Sequence, residues 1–416
     1  MLKNKKFGLV LMALALGLVL VACADDDNGN GDNGGDNGVA SGFVQGVTDD
    51  AIYFANSAAV SGPLAPVGVP FQAGMEAYIN MVNANGGVHG RELRYIHVDD
   101  EFDPALGTAA LQGFIEDDEV FAIVGHFGTP VIGATFPILV ETGIPTVYFA
   151  AGIGDVYNEN ATDGDGRNTF PVQPVFPMEG RIFAAWAAGE FEAETIGLIR
   201  TNDDAGRDFY EGVMQEAAEI GLEVIVAVVE PNAPDVTAQV ATILDADVDV
   251  IVAGSIQGTL PQILRGLAAQ GNTLPVLTSY VNADVTITNQ VADDIGDQFD
   301  VFASAWVDMS RPEMELYFEW MEDEELAGTS FAMTGWIAMH FFVEGLERAG
   351  EDLTWESFIE AMEESPIQNP FGPAIDFSNG NRVGTQDLAL LRMNAAESAG
   401  WEPFLDFMSI EEILNQ

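Results

Sequence analysis

The run TIGLIRTNDDAGRDFYEGVMQEAAEIGLEVIVAVV, residues 195–229, decides the fold. Residues 196–200 and 224–229 are short, β-branched apolar runs, and between them Phe209, Val213 and Ala217 recur at helical spacing. A strand, an amphipathic helix and a second strand in that order form a β-α-β unit, whose intervening helix lets the two strands lie parallel. The alternation extends in both directions. Strands are expected at 52–55, 93–98, 120–125 and 146–149 before the quoted run, and at 248–253 and 276–279 after it. Helical spacing also links Phe71, Met75, Tyr78, Ile79 and Val82, and again Leu260, Ile263, Leu264 and Leu267. Many of the strands are continuous apolar runs, as when helices cover both faces of a sheet.

The series breaks at Phe170-Pro171-Val172-Gln173-Pro174 and starts afresh at Ile196. The expectation is an α/β protein with two doubly wound parallel-sheet lobes. Each would offer the carboxyl ends of its strands to a ligand at a topological switch point. Facing one another, they would enclose a cleft for a small molecule.

Composition agrees with a large globular chain. The 416 residues are 48% hydrophobic, too apolar for a disordered acidic protein, and long enough for about two domains at ~150 residues each. With 66 Asp+Glu against 14 Lys+Arg the formal charge is −52, which repels polyanions and excludes nucleic acid as a partner. A single cysteine excludes a disulfide framework and a Cys-based zinc site.

All three lysines, Lys3, Lys5 and Lys6, open the chain, and residues 7–21 follow as a mostly apolar stretch of signal-peptide length. It ends Leu20-Val21-Ala22-Cys23, which resembles the lipobox of bacterial lipoproteins; that resemblance implies cleavage after residue 22 and a diacylglyceryl group on Cys23. Removing the leader takes the charge from −52 to −55. Residues 23–48 are expected to be the lipidated cysteine and a flexible tether, since 25–38 contain only Asp, Asn and Gly. A calcium loop starting at Asp26 fails because its twelfth position is Asn37 where a bidentate Glu is required.

Catalytic motifs are missing. Gly152-Ile153-Gly154 has Tyr157 where a dinucleotide fingerprint needs its third glycine, and no Walker A or G-x-S-x-G pattern occurs. His89, His97, His126 and His340 are scattered without ligand spacing, so no metal, cofactor or enzymatic activity is expected. His126 closes a strand and is weighed as a residue lining the cleft.

Several phrases resemble the leucine/isoleucine/valine-binding protein family, the substrate-binding subunits of ABC importers with the type I periplasmic binding fold. They are Ser61-Gly62-Pro63-Leu64-Ala65 with Gly68, Asn83-Ala84-Asn85-Gly86-Gly87-Val88-His89-Gly90, and Asp99-Asp100 with Asp103-Pro104. Val124-Gly125-His126, Gly143-Ile144-Pro145, and in the second half Leu264-Arg265 and Gly271 continue in the same order. Gly62 and Gly68 read as a turn that approaches a ligand closely, and Asn85-Gly86-Gly87 as a helix stop.

The resemblance implies lobes at 50–171 plus 304–375 and at 172–303 plus 376–416, joined by three hinge crossings. It implies a ligand carboxylate held by the Thr129 hydroxyl and by backbone near Ala150, Ala151 and Gly152, with Val67, Phe127 and Gly128 beside them. A hydroxyl and free N–H groups at a helix N-terminus make such a cradle without a cation; Thr129 capping its helix is the alternative. On the other lobe the matching positions are Ala205, Ile256 or Gln257, and Tyr280, with Asp204 on a neighbouring loop. Amino-acid binders of the family have an acid where Tyr280 stands, so either Asp203 or Asp204 replaces it or the ligand lacks an ammonium. Phe127, Tyr148 and Tyr280 would suit a flat ligand.

The expected function is capture of a small carboxylate-bearing molecule, an amino acid or related acid or amide, for an ABC permease and its ATPase. The chain would be a monomer, lipid-anchored outside the cytoplasmic membrane or periplasmic where an outer membrane exists. A surface sensor of the same fold without transport is the alternative. An acidic body whose cations are all arginine also suggests a saline habitat.

Overall fold

The computed structural model describes residues 44–162 and 165–416; the leader, Cys23 and the tether up to residue 43 lie outside them. Residues 44–48, read as tether, are bound to the body: Gln45 donates to the Val120 carbonyl at 3.0 Å and Tyr53 N–H donates to the Gly46 carbonyl at 2.8 Å.

The first half alternates β1 (Ala51–Ala58), α1 (Ala65–Ala84), β2 (Glu92–Asp99), α2 (Pro104–Glu116), β3 (Ala122–Phe127), α3 (Thr129–Thr142), β4 (Thr146–Ala150) and β5 (Thr169–Phe170). These strands form one parallel sheet in the order β2-β1-β3-β4-β5. The second series is α4 (Phe176–Gly189), β6 (Thr195–Thr201), α5 (Asp204–Ile220), β7 (Glu223–Val229) and α6 (Thr237–Leu244). It continues through β8 (Val250–Gly254), α7 (Leu260–Ala269), β9 (Val276–Thr278), α8 (Val285–Ile295) and β10 (Val301–Ala305). The chain then forms α9 (Met314–Trp320), α10 (Glu324–Ala327), α11 (Ser330–Ala349) and α12 (Trp355–Glu363), and ends with β11 (Asp387–Met393), β12 (Trp401–Ser409) and α13 (Ile410–Leu414).

The second sheet runs β12-β11-β10-β9-β8-β6-β7. It departs from an all-parallel expectation at one edge, where β11 is antiparallel to both β10 and β12. No helix separates β11 from β12, so the chain turns back as a hairpin. The two α/β lobes are linked three times, because α11 returns to pack along α1 and on β3 and β4 before β11 rejoins the second sheet. The third link is pinned by Arg382. Its buried guanidinium bonds the Phe377 carbonyl at 2.8 Å, the Arg167 carbonyl at 2.7 Å and Glu363 at 2.5 Å, over the face of Phe170.

Glycine sets the closest helix crossings. A Cβ on Gly335 of α11 would collide with the Phe71 carbonyl of α1, and one on Gly212 of α5 with the Pro177 carbonyl of α4. Gly68 behaves likewise: its missing side chain makes room for the Ala59 carbonyl, so its close approach is to backbone and not to a ligand.

Candidate functional site

A cavity of about 110 Å³ lies beyond the carboxyl ends of the strands of both sheets. The first lobe contributes Leu64, Val67 and Phe71 after β1, Phe102 after β2, Phe127, Gly128 and Thr129 at the end of β3, and Ala150 and Ala151 at the end of β4. The second lobe contributes Ile256 and Gln257 after β8, Tyr280, Val281 and Ala283 after β9, and Trp306 after β10. Gln173 and Phe176 enter from the first link and Phe331, Met333 and Thr334 from α11.

Nine positions expected from the sequence thus meet: Val67, Phe127, Gly128, Thr129, Ala150, Ala151, Ile256, Gln257 and Tyr280. Three expected positions lie elsewhere. The Gly152 carbonyl accepts the Phe176 N–H at 2.5 Å, and the Phe176 ring occupies the space where a Cβ would stand. Asp204 pairs with Arg207, one turn on. Ala205 is buried in the apolar core at the start of α5. Asp203 caps α5, accepting from the Gly206 N–H at 2.9 Å and the Thr201 hydroxyl at 2.6 Å. Neither aspartate takes the place of an ammonium partner in the cavity.

Thr129 is buried and opens α3, whose N-cap is Gly128 at φ 92°. That backbone conformation suits glycine, and a Cβ there would also strike the Phe102 ring. Gly128 has no side chain to bond the first turn, and Pro130 brings no N–H. The Thr129 hydroxyl makes no hydrogen bond to the described residues, so it does not serve as the cap. It is left as an uncommitted donor on a residue that lines the cavity.

Apart from the Gln257 side-chain carbonyl, which has no partner among the described residues, the remaining polar side chains of the lining bond within the protein. The Tyr280 hydroxyl donates to the Pro174 carbonyl at 3.0 Å, and Gln257 donates to the Val281 carbonyl at 2.7 Å. Tyr148 is buried, lies outside the lining, and donates to Gln173 at 2.8 Å. Ser330 donates to Asp284 and Thr334 to the Phe331 carbonyl, each at 2.8 Å. The rest of the lining is aliphatic and aromatic.

Behind Tyr280 lies Glu179 of α4, fully buried, accepting from the Ser279 hydroxyl at 2.7 Å, the Tyr280 N–H at 3.2 Å and the Ser304 hydroxyl. Burial pushes its carboxyl up to about 7 despite those three donors. His126 is not in the lining; buried against α3, it bonds Thr135 at 2.8 Å, and burial pushes its imidazole down to about 4. Across the lobes, Gly154 N–H donates to Asp208 of α5 at 2.7 Å, and burial raises that carboxyl to about 6. Among the described residues no group of three or more His, Cys, Asp and Glu is placed to hold a metal ion. No helix among them is long and apolar enough to cross a membrane.

Gln173, Phe176 and Trp306 escaped the sequence reading. Trp306 ends an apolar run that obeys the same strand-end rule as the others, and recognising β10 would have found it. Gln173 stood in the quoted inter-lobe phrase, which was read only as a boundary.

The sequence profile described as "Periplasmic binding protein" matches residues 51–399. A Leu/Ile/Val-binding protein homolog 2 of Brucella abortus (strain 2308) is 24% identical over 240 residues, covering 58% of this chain and 62% of the relative. The match therefore spans less than two thirds of that relative's length. Among solved structures, a fatty acid ABC transporter substrate-binding protein from Thermomonospora curvata superposes with a TM-score of 0.76 at 19% identity, over 89% of this chain and 95% of the other. A branched chain amino acid ABC transporter from Thermus thermophilus with bound valine gives 0.75 at 18% identity, over 88% and 99%. At those identities the structures show a shared fold.

Proposed function

The chain belongs to the periplasmic binding protein family, and from that premise we propose that it is the substrate-binding component of an ABC importer. It captures a small carboxylate-bearing molecule between its lobes and delivers it to a permease driven by an ATPase. The observation that carries this reading is the cavity shared by the strand ends of both sheets, where a ligand touches both lobes at once. Thr129 and the backbone at the end of β4 hold the carboxylate, and the aromatic and aliphatic lining takes the rest. The lobes are 50–171 plus 307–375 and 172–306 plus 376–416; the second crossing falls later than the expected 303/304, because Ser304 and Ala305 still pair with β11 in the second sheet. The protein acts as a monomer without cofactor or catalysis, tethered by lipid on Cys23 to the outer face of the cytoplasmic membrane.

Ligand binding to the folded state raises Tm. A thermal-shift screen of amino acids, aliphatic and aromatic acids and amides is expected to give a concentration-dependent rise for one of these classes. No shift across the panel contradicts the reading. Deleting the gene should abolish uptake of the radiolabelled ligand; retained uptake with a lost response would favour sensing.

A further inference from the structure

Resting on the reading above, we infer that the cavity is built for an apolar monocarboxylate that carries no ammonium group: a short aliphatic or aromatic acid, and not an α-amino acid. No lining side chain among the described residues is Asp, Glu, Lys, Arg or His. An α-amino acid brings an ammonium into the same cleft as its carboxylate, and an ammonium desolvated between the lobes without a counter-charge is strongly disfavoured.

The nearby acids do not fill that role. Glu179 has no exposed surface, and its carboxylate oxygens are taken by Ser279, Ser304 and the Tyr280 N–H. Asp284 is also buried, one oxygen held by the Thr286 N–H at 2.9 Å and the other by the Ser330 N–H and hydroxyl at 2.8 Å. Asp208 is bound to Gly154 and lies outside the lining.

Neutral acceptors do not compensate. The Tyr280 hydroxyl and the Gln257 amide donate to the Pro174 and Val281 carbonyls, and the Gln257 side-chain carbonyl that stays free in the lining is neutral, so it supplies no counter-charge for an ammonium. Tyr280 stands edge-on to Trp306, ring centroids 6.3 Å apart, which makes this end of the cavity aromatic. The Thr129 hydroxyl, in contrast, is an uncommitted donor at a helix start, the polarity a carboxylate needs. One end of the cavity favours an anion and the other favours hydrocarbon.

The test compares ligands that differ by the amino group alone. Calorimetry of the folded protein with 4-methylpentanoate and leucine, and with 3-phenylpropanoate and phenylalanine, is expected to show the acid of at least one pair binding tenfold or more tighter than its amino acid. In that pair Thr129→Val should weaken the acid by tenfold or more. An amino acid that binds as tightly as its acid, or tighter, overturns the inference and leaves the importer reading standing. An amide that matches the acid overturns the carboxylate half. If no acid, amide or amino acid in the panel binds, both the inference and the importer reading fall.

Discussion

Thr129 is where a single atom separates binding from its loss. Replacing it with Val removes the hydroxyl at similar volume and is expected to cost on the order of 1.5–3 kcal/mol of ligand affinity, as for a hydrogen bond to a charged group. Stability should change little, because the hydroxyl is bonded to none of the described residues. Unchanged affinity by calorimetry would remove Thr129 as the anchor. Glu179 gives a different prediction, since its carboxyl moves from 4.5 to about 7 on folding. Between those values the folded protein holds a proton that the unfolded chain has released. Its stabilising effect is therefore complete below the unfolded value and lost as pH rises through about 7. Glu179→Gln stays neutral throughout, so denaturant melts should show the variant gaining on the wild type by on the order of 3 kcal/mol between about pH 4.5 and 8. A pH-independent difference would mean that the carboxyl titrates normally.

Elements that bring the lobes together carry the next predictions. The Gly154–Asp208 bond joins the loop after β4 to α5, and so forms only when the lobes are this close. Asp208→Ala should weaken ligand affinity by about tenfold, on the order of 1.5 kcal/mol for a charge-assisted bond, while leaving the melting of the free protein nearly unchanged. Equal affinity would show that this contact does not contribute to closure. Within the first lobe, Gly335→Ala drives a methyl group into the Phe71 carbonyl and should lower stability by about 1–3 kcal/mol, the usual cost of overpacking. A thermal melt unchanged by this variant would deny the tight α1–α11 crossing.

At this scale much was legible in the sequence. Apolar runs such as 196–200 and 224–229 became β6 and β7, and nine of the residues that the family resemblance implied line one cavity. Asp204 and Ala205 stand outside that lining because α5 turns into the core at once, Ala205 buried and Asp204 paired with Arg207. Phe331 and Met333 come from a helix that reaches the cavity through tertiary packing, for which no local pattern exists. The β11–β12 hairpin was hidden by irregular alternation, visible as two register shifts in its pairing.

The whole molecule is dominated by charge. Its arginines are bound locally, as in Arg392–Glu402, Arg265–Asp294 and Arg348–Glu344, which leaves a large excess of carboxylates on the surface. We propose a saline habitat on that basis. The Debye length falls from about 10 Å at 0.1 M to about 3 Å at 1 M salt. Screening should therefore raise the denaturant midpoint of the free protein over that range, and an equal or lower midpoint at 1 M would contradict the proposal. The central claim concerns capture between lobes, and hydrogen exchange with and without the acid that raises Tm most tests it directly. The account predicts slowed exchange on both sides of the cavity, after β3 and β4 in the first lobe and after β8 and β9 in the second. Protection confined to one lobe, or found in neither, would contradict it.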